Sequence, residues 1–257
     1  MKPEVPNALG TIPVVSADQL PVVTRDQMRE VDRLMVDAFG IQLIQMMENA
    51  GLGLAELVKR YVGEPLAGRS VVVLAGRGNN GGGGLTAARR LAAWGADVEV
   101  VVAGAPEELR DVPALQLGIL QRMGVPVQRY NAELPAHEVL IDAVIGYSLQ
   151  GPPRGTTLEL IRAANGSSAP VISLDVPSGV DVDSGEAPGE AIRATATLTL
   201  ALPKPGLLQL KAQANTQPYV GELYLADISV PPELYTRIGL AAPYIFAEGP
   251  LLRVLPT

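Results

Sequence analysis

The sequence contains no cysteine and a single histidine, His137. Disulfides, thiol catalysis and Cys-ligated zinc are therefore excluded, and a Ser-His-Asp triad or a site of several histidines is nearly so. His137 itself stands in the polar stretch Pro135-Ala-His-Glu138, which predicts a solvated loop residue. Positive charge is also short, with 20 basic against 27 acidic residues and a net charge of −7, which argues against nucleic acid or an anionic membrane as partner. No apolar run approaches the ~20 residues of a membrane span. The first residues, Met1-Lys-Pro-Glu-Val-Pro6, lack a basic segment followed by a long apolar core, so a secretory signal is not expected and a soluble, cytoplasmic protein is. Chemistry falls to carboxylates, hydroxyls, amides, Lys or Arg.

What is present is an apolar run, Val71-Val-Val-Leu-Ala75, that stops in Gly76-Arg-Gly-Asn-Asn-Gly-Gly-Gly-Gly84 and continues as the helix-like Thr86-Ala-Ala-Arg-Arg-Leu-Ala-Ala-Trp94. A strand, a glycine loop and a helix in that order form a phosphate cradle in outline. The first N–H groups of a helix have no intrahelical partner, and glycines let a ligand approach the backbone. The common nucleotide motifs do not fit. Gly76, Gly78 and Gly81 satisfy G-x-G-x-x-G, but the next strand, Asp97 to Ala103, ends without the carboxylate that would hold a ribose, and no Lys precedes Thr86 as in a Walker loop. Asn79-Asn80, two amides with donors and acceptors, stand where a ligand would sit.

Hydrophobic residues make up 47% of the 257, compatible with one large α/β domain. Residues 1–23 read as a Pro-rich arm packed on the surface, 24–240 as the domain, and 241–257 as a surface tail. Thr24-Arg-Asp-Gln27 has capping-box spacing before a helix that ends at Gly40, and a second helix runs over Leu43 to Val58. Asn49 in that helix reads equally as a solvated amide or as part of a pocket, beside small residues that permit close packing. Strand and helix then alternate, with strands at Val125–Arg129, Val139–Ile145, Val171–Leu174, Ala196–Leu202 and Tyr219–Asp227. This predicts a mostly parallel sheet with helices on both faces and a ligand crevice outside the carboxyl ends of the strands. The connection from Gly206 to Pro218 leaves room for the last strand to run antiparallel at an edge.

Asp142 interrupts an apolar strand, where an ionised side chain needs a cation, a donor or water. Asp175 follows an apolar strand and precedes Val176-Pro177, which stiffens the backbone beneath it. Two carboxylates at neighbouring strand ends favour function, the alternatives being a loop cap for Asp175 and a backbone acceptor for Asp142. Asp181 and Asp183 read as solvated or Asx-turn residues. Lys204, in Pro203-Lys-Pro205, is within reach of a phosphate in one reading, but solvation is preferred.

The ordered set Met47-Glu-Asn-Ala-Gly51, Gly78-Asn-Asn-Gly-Gly82, Ile141-Asp142, Leu174-Asp-Val-Pro-Ser-Gly-Val-Asp181 and Pro203-Lys-Pro-Gly-Leu207 resembles the YjeF N-terminal domain family, the NAD(P)H-hydrate epimerases, from about Thr24 to Leu234. The resemblance implies a three-layer α/β/α, Rossmann-like sandwich acting as a stand-alone epimerase, with no counterpart of the dehydratase domain fused in many bacterial members. The substrate it implies is the R and S forms of hydrated NADH or NADPH, and the cofactor a bound potassium ion. Asn79, Asn80, Gly81, Gly82 and Gly83, with Gly146, Tyr147, Ser148, Leu149, Gln150, Gly151 and Pro152, would contact the ligand. Asp175 would sit at the reacting ring, and Asn80, Asp142 and Ser178 would supply potassium oxygens. A homodimer follows from the resemblance alone. The family loop usually reads Asn-Asn-Gly-Gly-Asp-Gly, whereas Gly83 stands here for the aspartate, and a usual Gly-Thr-Gly is here Gly146-Tyr147-Ser148. These departures leave a non-catalytic nucleotide-binding or interaction protein on the same fold as the alternative. In the hypothesised reaction the ring nitrogen expels a hydroxide, and Asp175 does the acid/base and electrostatic work.

Overall fold

The computed structural model describes residues 11–208, 219–242 and 244–255. The start of the expected arm, most of the connection between Gly206 and Pro218, Pro243 and the last two residues lie outside the described residues.

The strands are β1 (Val14–Ser16), β2 (Ser70–Ala75), β3 (Asp97–Val102), β4 (Val127–Arg129), β5 (Val139–Ala143), β6 (Val171–Leu174), β7 (Ala196–Leu200), β8 (Glu222–Ala226) and β9 (Leu251–Leu255). The helices are α1 (Arg25–Asp37), α2 (Leu43–Val62), α3 (Asn79–Ala93), α4 (Asp111–Arg122), α5 (Gly155–Gly166), α6 (Pro205–Leu208) and α7 (Pro232–Arg237). One sheet carries all of these strands in the order β1-β9-β8-β7-β6-β5-β2-β3-β4, and β2 to β8 are mutually parallel.

Alternation along the strands divides the core. Val71, Val73 and Ala75 of β2 join Val139, Ile141 and Ala143 of β5 in a cluster with apolar residues of α1, α2, α3 and α4. Val72, Leu74 and Leu140 face the other way, onto Leu160, Ile161 and Ala164 of α5. The expected three-layer α/β/α sandwich is thus present. The Thr24–Gln27 capping box is also formed, with Gln27 N–H donating to Thr24 Oγ1 and Thr24 N–H donating to Gln27 Oε1. The small residues of α2 let it approach α3 as expected, since a Cβ on Gly51 would lie 2.5 Å from the side chain of Thr86.

Three expectations need correction. The arm does not merely pack on the surface: Val14–Ser16 pair with β9 as an edge strand. The final stretch is not a tail, because Leu251–Leu255 inserts between β1 and β8 and buries Leu251, Leu252 and Val254. The antiparallel strand is this β9 against β8, whereas β8 runs parallel to β7.

The glycine segment differs too. Helix α3 begins at Asn79, so Gly81 to Gly84 are its first turns and not a loop. Each interior glycine costs a helix about 1 kcal/mol relative to Ala. Packing explains them: a Cβ on Gly81 would lie 1.9 Å from the Gly76 carbonyl oxygen, and one on Gly84 would lie 2.4 Å from Ala143 Cβ.

Candidate active site

The chain leaves β4 at one edge and re-enters at β5, on the opposite side of β2, so the direction of winding reverses between β2 and β5. Ligand crevices in open α/β sheets form at such a reversal, outside the carboxyl ends of the strands. A cavity of about 520 Å³ lies there. Asn79, Asn80, Gly146, Tyr147, Ser148 and Asp175 line it, as does Arg77, against an apolar wall that includes Met28, Met46 and Met47.

Asp175 is buried, at 4% exposure, and sits at φ +65° immediately after β6. Val176 N–H donates to the Leu174 carbonyl at 2.8 Å, closing a γ-turn around it. A γ-turn with positive φ at its centre is the rarer and more strained kind, and such strain in a non-glycine residue needs surrounding structure to hold it. Its neighbour β7 ends alike, with Ala201 at φ +65° and Leu202 N–H bonded to the Leu200 carbonyl at 2.8 Å.

Lys204 ties the two turns together. Its ammonium donates to Asp175 Oδ1 at 2.6 Å, to Thr199 Oγ1 at 3.0 Å and to the Leu200 carbonyl at 3.0 Å, and the side chain is 0% exposed. All three ammonium protons are used. The preferred reading of Lys204 as solvated is therefore overturned. Asp175 Oδ2 accepts Tyr147 N–H at 3.0 Å, so both carboxylate oxygens are held.

Asp142 is fully buried on β5, in register with Ser173 of β6. Its Oδ2 accepts Ser173 Oγ–H and Ser178 N–H, each at 2.8 Å, and its Oδ1 accepts Ser178 Oγ–H at 2.5 Å and Val144 N–H at 3.3 Å. Every donor is neutral. Burial pushes the Asp142 carboxyl above the usual range, against the pull of these hydrogen bonds. Asn80, which lines the cavity, has a buried amide nitrogen without a hydrogen-bond partner among the described residues. A Cβ on Gly146 would lie 3.0 Å from Asp175 Oδ2 and 3.2 Å from Asn80 Oδ1, so only glycine brings this loop against both groups without displacement.

The chain matches the family described as YjeF-related protein N-terminus over residues 43–206. A protein of Dehalogenimonas lykanthroporepellens named NAD(P)H-hydrate epimerase is 48% identical over 219 residues, covering 85% of this chain and 86% of its own. A protein of the same name from Rhodopirellula baltica is 38% identical over 227 residues, with 86% and 90% covered. The chain belongs to the YjeF-related N-terminal family. Among solved structures, that of the yeast protein ynu0 (YNL200c) superimposes with a TM-score of 0.74 at 28% identity, covering 91% of this chain and 100% of the yeast one.

Of the residues that this family membership points to, some do not line the cavity. Gly82 and Gly83 lie inside α3, where Gly82 N–H is bonded to the Gly78 carbonyl and a Cβ on Gly83 would lie 2.6 Å from Leu174 Cδ2. At both positions an added Cβ would point into the fold. Gly81 presents only its backbone, at the start of α3. Leu149 is buried outside the cavity, and Gln150, Gly151 and Pro152 are exposed beyond it. Asn49 lines a separate hollow of about 560 Å³ beside Arg60 and Pro250. Asp181 makes the expected Asx turn, accepting from Asp183 and Ser184 N–H, and also pairs with Arg25. His137 lies in a loop as expected, half-buried and bonded to the Pro135 carbonyl and Ser167 Oγ.

One cavity residue, Asp32 of α1, has no signal in the sequence beyond an amphipathic helix. Tyr147 Oη donates to Asp32 Oδ2 at 2.6 Å. Burial pushes its carboxyl up, the charge of Asp175 adds to that, and the Tyr147 bond and Lys204 oppose it.

Proposed function

We propose that this cavity epimerises the hydrated forms of NADH and NADPH, interconverting their R and S configurations. The observation that carries the reading is the buried Asp175–Lys204 pair, held at the sheet's point of reversal in a chain that matches proteins named NAD(P)H-hydrate epimerase over most of their length. The substrate carries a hydroxyl on the ring carbon next to the ring nitrogen. Loss of that hydroxyl leaves a cationic iminium, and water returning to the other face completes the inversion. Asp175, anchored by Lys204 and the Tyr147 N–H, faces the cation that develops. The strained turn and the double anchoring keep the carboxylate from rotating away, so little reorganisation is needed as charge forms. The open N–H groups at the start of α3 and Arg77 at the rim suit the pyrophosphate. Net redox change is zero, so no hydride acceptor takes part.

A potassium ion belongs to the same proposal. Asn80, Asp142 and Ser178 would hold it, with the Ile145 carbonyl beside Ser178 Oγ at 3.2 Å. The donors are all oxygen, as a hard cation prefers. Among the described residues Asp142 has only neutral partners, and turning the Asn80 amide over would place its oxygen at the position now unpartnered. When bound, the cation would supply positive charge near the buried carboxylate. A cytoplasmic setting and a homodimer complete the proposal, the latter on family resemblance alone.

The activity is tested by mixing the protein with the R form of hydrated NADH and following both epimers chromatographically. Accelerated appearance of S is expected from the wild type. Asp175→Asn should nearly abolish it while still binding dinucleotide; wild-type turnover in that variant would remove Asp175 from the mechanism. For the cation, the melting temperature should rise more in potassium than in equal lithium or tetramethylammonium, since a ligand of the native state alone stabilises it. Asn80→Ala, which removes no side-chain hydrogen bond to the described residues, should diminish that difference. Equal melting in all three salts would sink the cation.

A further inference from the structure

Asp175 is well placed to stabilise a cation, but a single carboxylate cannot donate a proton on one face of the ring and accept one on the other. Both of its oxygens accept hydrogen bonds, one from an ammonium. Departure of hydroxide nevertheless needs an acid, and that acid must sit in the same cavity. Among the described residues, the remaining titratable groups lining it are Asp32, Tyr147 and Arg77, and Arg77 is exposed at the rim and paired with Glu108. Asp32 and Tyr147 are bonded to each other at 2.6 Å, Asp32 coming from α1 and Tyr147 from the loop after β5, whereas Asp175 directly follows β6. The two carboxylates are one tyrosine apart, since the backbone N–H of Tyr147 binds Asp175 and its phenol binds Asp32.

On the epimerase reading, we propose that Tyr147 and Asp32 form the proton-donating pair of the reaction, with Tyr147 touching the departing hydroxyl and Asp32 acting through it. The C–O bond breaks with both electrons going to oxygen, while the ring nitrogen lone pair forms the C=N bond. The oxygen takes the phenol proton and leaves as water, and the phenol is replenished by the proton of Asp32. Water then adds to the opposite face and gives its proton to the Asp175 carboxylate. Exchange with solvent returns a proton to Asp32 and takes one from Asp175 before the next turnover, and the reverse reaction uses the two carboxylates in exchanged roles.

The geometry suits this relay. The phenol is held at its far end by Asp32, and its main chain is held by Asp175 and by Arg25, whose Nε donates to the Tyr147 carbonyl at 3.1 Å. Around Asp32 stand Tyr147, Asp175 and Lys204, and Arg29 acts on the phenol from the same helix. Burial favours the protonated form of Asp32, which an acid requires, and keeps the phenol neutral, with its pKa pushed up by burial and then by Asp32.

Tyr147→Phe is the informative variant because it keeps both the bulk and the N–H that holds Asp175; Asp32→Asn keeps the size of the carboxyl. With the R form of hydrated NADH, each should lower kcat about 100-fold with KM little changed. The double variant should lose no more than the worse single one, since the two act as a unit. The wild-type kcat/KM should fall as pH rises through the Asp32 pKa, and Asp32→Asn should lack that limb. Separately, carbon NMR should show Asp32 titrating higher in Tyr147→Phe, because the phenol bond lowers it. Wild-type kcat in Tyr147→Phe, or an unmoved Asp32 titration, overturns the pair while the epimerase reading stands. A wild type without epimerase activity overturns both.

Discussion

Lys204 brings a charge into a site with no solvent contact, and its single cationic head satisfies a carboxylate, a hydroxyl and a carbonyl at once. Removing one member of a buried ion pair costs far more than the pair itself contributes, because the other charge is left without compensation. Lys204→Met should therefore lower the free energy of unfolding in urea by about 3–5 kcal/mol. Adding Asp175→Asn to that variant should recover part of the loss. If the double variant is no more stable than Lys204→Met, the cost lies elsewhere than in the stranded carboxylate. The sequence around Lys204, one lysine between two prolines, resembles any stiff surface turn. Burial was invisible there, since it depends on the γ-turn at Ala201 and on residues 29 positions earlier.

At the scale of an element, α3 shows how glycine composition reports two different demands. Its N-terminus faces the cavity, as its N–H groups would suggest, yet its glycines answer to the neighbouring strands and helices. Glu48 of α2 binds Arg89, Arg90 and Gln116, which joins α2 to α3 and to α4. With the helices so held, α3 cannot retreat from β5. Gly84→Ala should destabilise the protein by about 1–3 kcal/mol in spite of better helix propensity, because Ala143 Cβ is fixed to the strand only 2.4 Å from the new atom. Gly83→Ala should cost less, since its obstacle at 2.6 Å is the end of the flexible Leu174 side chain. Urea unfolding of the two variants ranks them, and an equal or reversed order would show that α3 shifts as a body. Helix and strand identity in this region was readable from apolar runs, whereas the start of α3 was not: a run of glycines has the local signature of a loop, and only contact distances show it as a helix.

For the whole molecule, the consequential strand is β9, which covers β8 and in turn supports β1. Truncation after Pro250 would strip the hydrogen-bonded partner from Leu223 to Ala226. An exposed, apolar edge strand pairs with other chains, so the truncated protein should melt lower and aggregate on concentration. Light scattering with thermal melting tests this, and a monodisperse truncated protein of unchanged melting temperature would show β9 to be dispensable.

The sequence by itself determined the alternation of strand and helix, the parallel sheet, the crevice at its carboxyl end and the place of Asp175 and Asn80 in it. These follow from local patterns, because apolar periodicity and chain direction suffice to order a βαβ fold. Tertiary structure alone decided that a short N-terminal segment and the last strand close the sheet, because such short segments signal pairing only through distant partners. It also decided which polar groups meet: Asp32 from α1, Tyr147 from the loop after β5 and Lys204 after β7 converge on Asp175. Their meeting depends on distances between elements, and no spacing along the chain records those.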